Sequence, residues 1–199
     1  MPAHTPCTPS IISEFSVGAL RHPTLADAAS IHELVAADGV LDGNSRYCYL
    51  LVCRDFADTS LVVCDREGVA GFVIGYRPPQ RRSTLFVWQV GVAKRARRQG
   101  LGRLLLRSLL AAPASAGVEF LEATITPSNN ASRRLFASVA ESIGAACREG
   151  PGFPAELFGG GDQQGPRHEE ERCFLIGPLA SGWLADDGFS RGGRSNGDF

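Results

Sequence analysis

The sequence predicts a mixed α/β fold of the α+β class, with one central sheet and helices packed beside it. Three strand-like runs follow one another directly, at Ser60–Asp65, 69–76 and 85–92, which indicates a β meander. After the meander, helix-like and strand-like segments alternate to the end of the core. The chain has 199 residues, 44% of them hydrophobic, so it has room for one domain and a modest surplus.

The segment before the meander predicts a short strand and two helices. The short strand lies near Leu20. Thr24 caps the first helix, with Asp27 three residues further on, and the apolar face of this helix consists of Ala28, Ile31, Leu34 and Val35. The second helix runs from about 45 to 56 and has Asn44 as its cap. Within the meander, residues 66–68 make a hairpin-type connection.

The second half predicts two further helices and two further strands. In chain order these are a leucine-rich helix over 100–112, a strand over 118–125, a helix from 128 or 129 to about 143, and a strand over 172–176. Pro113 stops the leucine-rich helix. We interpret 150–165 as a glycine-rich loop.

The two ends predict segments outside the domain. Residues 1–17 contain three prolines and no stable periodicity, and residues 180–199 contain many glycines and few apolar anchors. We therefore expect a disordered N-terminal segment over 1–17, a single domain over 18–179 and a flexible tail over 180–199.

Charge and hydropathy exclude several classes of partner. The net charge of −1 and the pI near 6.4 give the molecule no overall attraction to nucleic acid. No window approaches the roughly 18 consecutive apolar residues of a membrane span. The first ten residues lack the basic start and apolar run of a secretory signal. We therefore expect a cytoplasmic protein with no membrane or nucleic-acid partner.

The six cysteines do not predict a metal site. None of them forms a C-x-x-C pair, and no histidine stands at zinc-ligand spacing from any cysteine pair. Most lie in apolar surroundings, where cysteine behaves as a small hydrophobe. We expect free thiols and no metal.

A glycine turn after the third strand of the meander is the most informative stretch. Five basic residues surround Gly100 and Gly102, namely Lys94, Arg95, Arg97, Arg98 and Arg103. Glycines at a helix start let backbone N–H groups approach an anion, and the helix dipole adds attraction. The Gly-Lys-Ser/Thr of a Walker loop and the third glycine of a dinucleotide fingerprint are both missing. The alternatives that remain are another diphosphate site and a solvated tight turn.

The turn reads R-x-x-G-x-G over 97–102, and in this it resembles the GCN5-related N-acetyltransferases (GNAT). The segment 129–136 resembles that superfamily's later motif, with Phe136 at the place of a tyrosine that often protonates the departing thiolate. The resemblance implies the GNAT fold, with a mostly antiparallel central sheet flanked by helices, and acetyl-CoA as cosubstrate. It implies that coenzyme A binds at Val90, Val92, Arg97, Arg98, Gln99, Gly100, Leu101, Gly102, Arg103 and Asn129.

Three segments, 41–49, 84–90 and 124–129, resemble more closely the L-2,4-diaminobutyrate acetyltransferases of ectoine biosynthesis. The run 168–171 is similar to that family as well. This resemblance implies acetylation of the side-chain amine, N4, of L-2,4-diaminobutyrate in a homodimer.

The charges of that substrate indicate which side chains should bind it. Two ammonium groups call for carboxylates, and the acid group calls for a cation or another donor. Asp42 is a candidate for an ammonium, and its alternative role is a loop or helix-start carboxylate. Further candidates for the pocket are Tyr47, Phe86, Trp88 and His168, although the strand face that carries Phe86 and Trp88 can equally be core.

Glu171 is the candidate general base, because it lies at the predicted mouth of the last strand. Glu122 is the alternative base, unless it simply faces solvent. We expect direct attack of the free amine on the thioester, with the Val92 backbone N–H stabilising the oxyanion. No cysteine has a clear activating histidine, which disfavours an acyl-enzyme.

Three rival functions remain open at this level. One is another GNAT enzyme, acting on a polyamine, a different amino acid or a protein terminus. The second is a non-catalytic module that binds coenzyme A, for which the missing tyrosine is the argument. The third is a nucleic-acid binder, supported only by the arginine cluster.

Overall fold

The computed structural model describes residues 19–158 and 168–180. Within them the chain forms seven strands and four α-helices. The strands are β1 (Leu20–Arg21), β2 (Ser60–Asp65), β3 (Gly68–Tyr76), β4 (Thr84–Val92), β5 (Phe120–Ile125), β6 (Cys147–Phe153) and β7 (Glu171–Ile176). The helices are α1 (Ala28–Asp38), α2 (Arg46–Asp55), α3 (Leu101–Ala111) and α4 (Asn130–Ser142).

All seven strands belong to one sheet with the order β1-β2-β3-β4-β5-β7-β6. Only the β4–β5 pair is parallel, and the other neighbours are antiparallel. The crossover from β4 to β5 runs through α3, as a parallel connection requires. The predicted mostly antiparallel sheet is therefore confirmed.

Helices cover both faces of the sheet, and each layer has its own apolar core. Leu105, Leu106 and Leu109 of α3 are fully buried against one face, together with Phe136 of α4. On the opposite face, α1 and α2 pack over β2 and β3, with buried residues that include Ile31, Val35, Tyr49, Val52 and Phe72. The alternation of side chains along β4 divides the strand between the two layers.

Most predicted elements are confirmed to within one or two residues, and two expectations are wrong. The second helix is capped by Ser45 rather than by Asn44, since the Ser45 hydroxyl accepts the Cys48 N–H at 3.2 Å. Part of the expected loop over 150–165 is strand β6. This strand contains Pro151, which edge strands tolerate because one row of their N–H groups needs no partner.

The predicted disordered segment over 1–17 and nearly all of the predicted tail over 180–199 lie outside the described residues. In the part of the chain that the structure describes, every helix is too short or too polar to cross a bilayer.

A buried carboxylate fastens the first strand to the first helix. Asp27 is only 7% exposed, and its oxygens accept two hydrogen bonds from the Arg21 guanidinium, at 2.7 and 2.8 Å. The backbone N–H and hydroxyl of Thr24 also donate to Asp27, at 2.7 and 2.8 Å. The hydrogen bonds from Arg21 and then those from Thr24 lower the pKa of Asp27 to about 2.

We predict that Asp27→Asn lowers the free energy of unfolding by about 2 kcal/mol at neutral pH. The folded-state pKa lies below the unfolded value, so this contribution is complete above pH 5 and is lost as the pH falls through 4 to 2. Urea unfolding of both proteins across this range measures the difference. The exposed Asp58, changed to Asn, is the matched control. A difference that does not shrink at low pH would contradict the ion-pair account.

Candidate active site

The two parallel strands β4 and β5 separate halfway along their length. Their pairing runs from Thr84 and Phe120 to Val87 and Ala123, and in the described residues the ladder ends there. Beyond this point β4 continues for five more residues, to Val92, beside β3. One edge of β4 is therefore open towards β5.

Alternation of the backbone directs two N–H groups of β4 into this opening. The N–H of Ala93 donates to the carbonyl of Ala70 at 2.8 Å, on the β3 side. Because neighbouring residues of a strand point their N–H groups to opposite sides, those of Val92 and Val90 are directed towards β5. The Val92 carbonyl accepts a hydrogen bond from Arg97 Nε at 3.1 Å.

The glycine turn follows directly on β4 and opens helix α3. Gly100 is its N-cap with a φ of 75°, and Arg98 is also left-handed with a φ of 63°. The first hydrogen bond within the helix runs from the Leu104 N–H to the Gly100 carbonyl, at 3.0 Å. The N–H groups of residues 101–103 thus have no partner within the helix, which suits a diphosphate.

Arg97 is exposed, like Arg98, Gln99 and Arg103, and its side chain makes two contacts with the rest of the fold. Its guanidinium pairs with Asp38, at the end of α1, while Nε is bound to the Val92 carbonyl. In this conformation the Arg97 side chain holds the glycine turn against β4 and α1. Its predicted part in binding coenzyme A stays a prediction.

A cleft of about 600 Å³ occupies the opening between β4 and β5. Its walls include Phe86, Trp88 and Val90 of β4, and Asn129, Ser132 and Phe136 of the α4 region. Leu85 and Val87 point the other way, into the core under α3. The predicted shared face of Phe86 and Trp88 is therefore a cleft wall, and both side chains are partly buried.

Glu171 lies at the start of β7 and lines this cleft. Its Oε2 is buried, and no described atom makes a hydrogen bond to it. Burial raises the pKa of Glu171, and a hydrogen bond with Thr124 and the nearby His168 oppose that rise. A partly desolvated carboxylate of this kind is suited to accept a proton.

Asp42 and His168 stand beside Glu171. The His168 Nε2 lies 3.5 Å from Asp42 Oδ2, and ligand atoms of the three residues all lie within 4.8 Å of one another. The carbonyl of Glu169, 2.6 Å from His168 Nδ1, raises the pKa of His168, and Asp42 raises it further. Phe158 stacks on the imidazole at 4.0 Å.

The three side chains offer two carboxylates and an imidazole to one small volume. This set suits an ammonium group. Carboxylate oxygens and imidazole nitrogens also occur as ligands at metal sites, and the expectation of no metal stays a prediction.

Two residues that the sequence analysis missed hold Asp42 in place. Gln89 donates from Nε2 to the Asp42 carbonyl at 2.8 Å, and the Tyr49 hydroxyl donates to Gln89 Oε1 at 3.0 Å. Tyr49 also stacks on Trp88 with ring centroids 6.3 Å apart. The sequence did contain a signal for Gln89, because a glutamine within an otherwise apolar strand is a buried amide that needs hydrogen-bond partners.

Two other candidates have different surroundings. Glu122, the alternative base, is 8% exposed, and its carboxylate is bound by both terminal nitrogens of Arg81. It therefore neither faces solvent nor stands free to accept a proton. Tyr47 is 67% exposed, and the structure does not bring it into the cleft wall. Its part in the pocket stays a prediction.

Comparisons with known proteins confirm the family that the motifs predict. Residues 29–140 match the model of the acetyltransferase (GNAT) family. The L-2,4-diaminobutyric acid acetyltransferase of Shouchella clausii is 39% identical over 86% of this chain and 93% of its own length. That of Bordetella parapertussis is 44% identical over 80% of this chain and 84% of its own length.

A solved structure agrees with these relatives. The diaminobutyrate acetyltransferase EctA from Paenibacillus lautus, in complex with its substrate L-2,4-diaminobutyric acid and coenzyme A, superposes with a TM-score of 0.76. It is 39% identical, and the match covers 82% of this chain and 96% of that one. The chain described above therefore belongs to the L-2,4-diaminobutyric acid acetyltransferase family, within the acetyltransferase (GNAT) family.

Proposed function

We propose that the protein transfers the acetyl group of acetyl-CoA to N4 of L-2,4-diaminobutyrate, the step that the resemblance assigns to ectoine biosynthesis. The observation that carries this proposal is the grouping of Asp42, His168 and Glu171 at the opening between β4 and β5. The relative of known structure binds coenzyme A and this diamino acid on the same fold.

The open edge of β4 and the glycine turn fit the cosubstrate. The Val90 and Val92 backbones are available to pair with the amides of the pantetheine arm, as a strand would. The unpartnered N–H groups at the start of α3, beside the exposed Arg98 and Arg103, suit the pyrophosphate. Asn129 caps α4 by accepting the Ser132 N–H at 3.0 Å, and its side chain lines the same cleft.

The amine substrate matches the charges at the other side of the opening. Diaminobutyrate carries two ammonium groups at neutral pH, and Asp42 and Glu171 offer one carboxylate each. The His168 Nε2 lies 3.5 Å from the Asp42 carboxylate, so the two side chains share this side of the opening. Trp88 lines the same cleft and stacks on Tyr49.

Glu171 accepts the proton from the N4 ammonium, directly or through a water molecule, and so frees the amine to attack the thioester carbonyl. The Val92 N–H stabilises the negative charge that develops on the carbonyl oxygen. The bond from carbon to N4 forms and the bond from carbon to sulfur breaks, and the second proton that N4 loses as it becomes an amide nitrogen passes through water to the departing thiolate. Phe136 has no hydroxyl and supplies none.

The resemblance also supports a homodimer acting in the cytoplasm, where acetyl-CoA is available, and we include both in the proposal. Val40, before α2, and Tyr47 and Leu50, within it, are exposed and largely apolar side chains, which suits a protein contact. The mass in solution, measured by sedimentation equilibrium, tests the dimer.

We predict that the wild-type protein, given acetyl-CoA and L-2,4-diaminobutyrate, forms the N4-acetyl product, as located by NMR.

We predict that Glu171→Gln lowers kcat/KM by about 100-fold or more, because it removes the proton acceptor but keeps the shape of the side chain. Glu170→Gln is the matched control, since Glu170 is exposed and its described ion pair with Arg172 is long, at 3.8 Å. Acetylation at N2, or no acetylation, would overturn the proposed function; an unchanged Glu171→Gln rate would overturn the base alone.

We predict that Thr124→Val moves the acid limb of the kcat/KM profile to higher pH. Thr124 lowers the pKa of Glu171, so its removal lets burial raise that pKa further, and the base is protonated at a higher pH. Thr126→Val, just past the end of β5, leaves the limb in place. If the acid limb of the kcat/KM profile does not move in Thr124→Val, or moves to lower pH, a group other than Glu171 controls that limb.

A further inference from the structure

The loop over 39–45, which joins α1 to α2, lies along the last part of β4. The Asp42 carbonyl accepts the Gln89 Nε2 at 2.8 Å, near the end of the loop. In its middle, Leu41 packs against Gly91, where a Cβ would lie 3.1 Å from the Leu41 Cδ1. The loop that presents Asp42 to the cleft is therefore positioned by the strand whose open edge suits the pantetheine arm.

Asp38, the last residue of α1, joins the start of this loop to the glycine turn. Its side chain is only 10% exposed. Its Oδ1 accepts a charged hydrogen bond from the Arg97 guanidinium, and its Oδ2 accepts the Val40 N–H at 3.2 Å. Arg97 also donates from Nε to the Val92 carbonyl at 3.1 Å. One carboxylate thus contacts both the turn that suits a diphosphate and the loop that carries Asp42.

A neighbouring ion pair of the same turn has no such double contact. Arg95 donates to both oxygens of Asp65, the last residue of β2, at 2.9 and 3.0 Å. The Glu67 N–H also donates to Asp65, at 2.8 Å, within the hairpin of β2 and β3. This pair fastens the turn to the hairpin, and it is a matched comparison for the pair of Asp38.

The loop itself loses conformational freedom when a ligand fixes it. Gly39 has a φ of 80°, Val40 is 64% exposed, and Asp42 and Gly43 are exposed as well. A ligand that fixes the glycine turn also fixes Arg97, and through Asp38 it fixes the start of the loop. Because the loop is then partly ordered, a second ligand at Asp42 loses less entropy when it binds.

We propose that Asp38 couples the two binding sites, so that coenzyme A at the glycine turn increases the affinity for the diamino acid at Asp42. This inference rests on the proposed function. Coupling between two ligands is reciprocal, so the diamino acid increases the affinity for coenzyme A by the same factor. Asp38 is a positioning residue, because it acts through Arg97 and the Val40 backbone.

The test measures binding without turnover, since coenzyme A carries the same diphosphate as acetyl-CoA and has no acetyl group to transfer. Isothermal titration calorimetry gives the Kd of L-2,4-diaminobutyrate with and without saturating coenzyme A. For the wild type we expect coenzyme A to lower this Kd about 5- to 20-fold, and diaminobutyrate to lower the Kd of coenzyme A equally. For Asp38→Asn, which keeps the shape of the side chain and loses its charge, we expect a factor below about twofold.

Arg97→Gln removes the same ion pair from its other side. The coupling factor is a ratio of two Kd values for diaminobutyrate, so weaker binding of coenzyme A does not alter it when coenzyme A is saturating. We expect the same loss of coupling as in Asp38→Asn, and no further loss in the double variant, because both residues act through one pair. Asp65→Asn is the matched control and keeps the wild-type factor.

The outcomes separate this inference from the proposed function. If diaminobutyrate binds with a wild-type factor near 1, or if the factor survives in Asp38→Asn, the inference is overturned and the proposed function stands. An equal loss of coupling in Asp65→Asn would also overturn it, because the loss would then reflect a general loosening of the turn. Thermal unfolding checks that each variant folds, and Arg97→Gln supplies the comparison if Asp38→Asn does not. If the wild type binds no diaminobutyrate, the proposed function fails first and this inference with it.

Discussion

The site depends on one constraint, the separation of two parallel strands that begin as neighbours. Over their first halves, β4 and β5 are held together by Leu85 and Val87 facing Leu121 and Ala123, in the core under α3. Further along, each strand has a different neighbour, since Trp88 of β4 stacks on Tyr49 of α2 whereas Thr124 of β5 pairs with Cys173 of β7. The opening that results exposes backbone donors on one wall and ionisable side chains on the other.

Several ionisable groups of the cleft have partners within the fold. Gln89 donates to the backbone carbonyl of Asp42, and the charges of Arg81 and Glu122 hold each other. Such support keeps charged groups in place without substrate, so little reorganisation is needed when one binds. The carboxylates of Asp42 and Glu171 lie within 4.8 Å of one another and of His168, so they give the ammonium groups of a diamino acid one place to bind.

The sequence alone predicts the periodic elements well, because burial on one face leaves a readable pattern, as in the leucines of α3. It does not predict β6, because Pro151 and two glycines are typical of a loop rather than of an edge strand. The strand needs a glycine at 152, since a Cβ there would lie 2.0 Å from the Glu171 carbonyl oxygen. Asp42, His168 and Glu171 were identified through family resemblance. The pairing of Arg81 with Glu122 could not be predicted, because these residues are 41 positions apart and meet only through the strand register.

The most direct test of this account is amide hydrogen exchange at Val90 and Val92, with and without acetyl-CoA. If the open edge of β4 receives the cosubstrate, both amides exchange at least about tenfold more slowly when it binds, as newly made hydrogen bonds require. The Ala93 amide, already bonded to Ala70, is the internal reference and stays protected in both states. Binding of acetyl-CoA that leaves exchange at Val90 and Val92 unchanged would contradict the account.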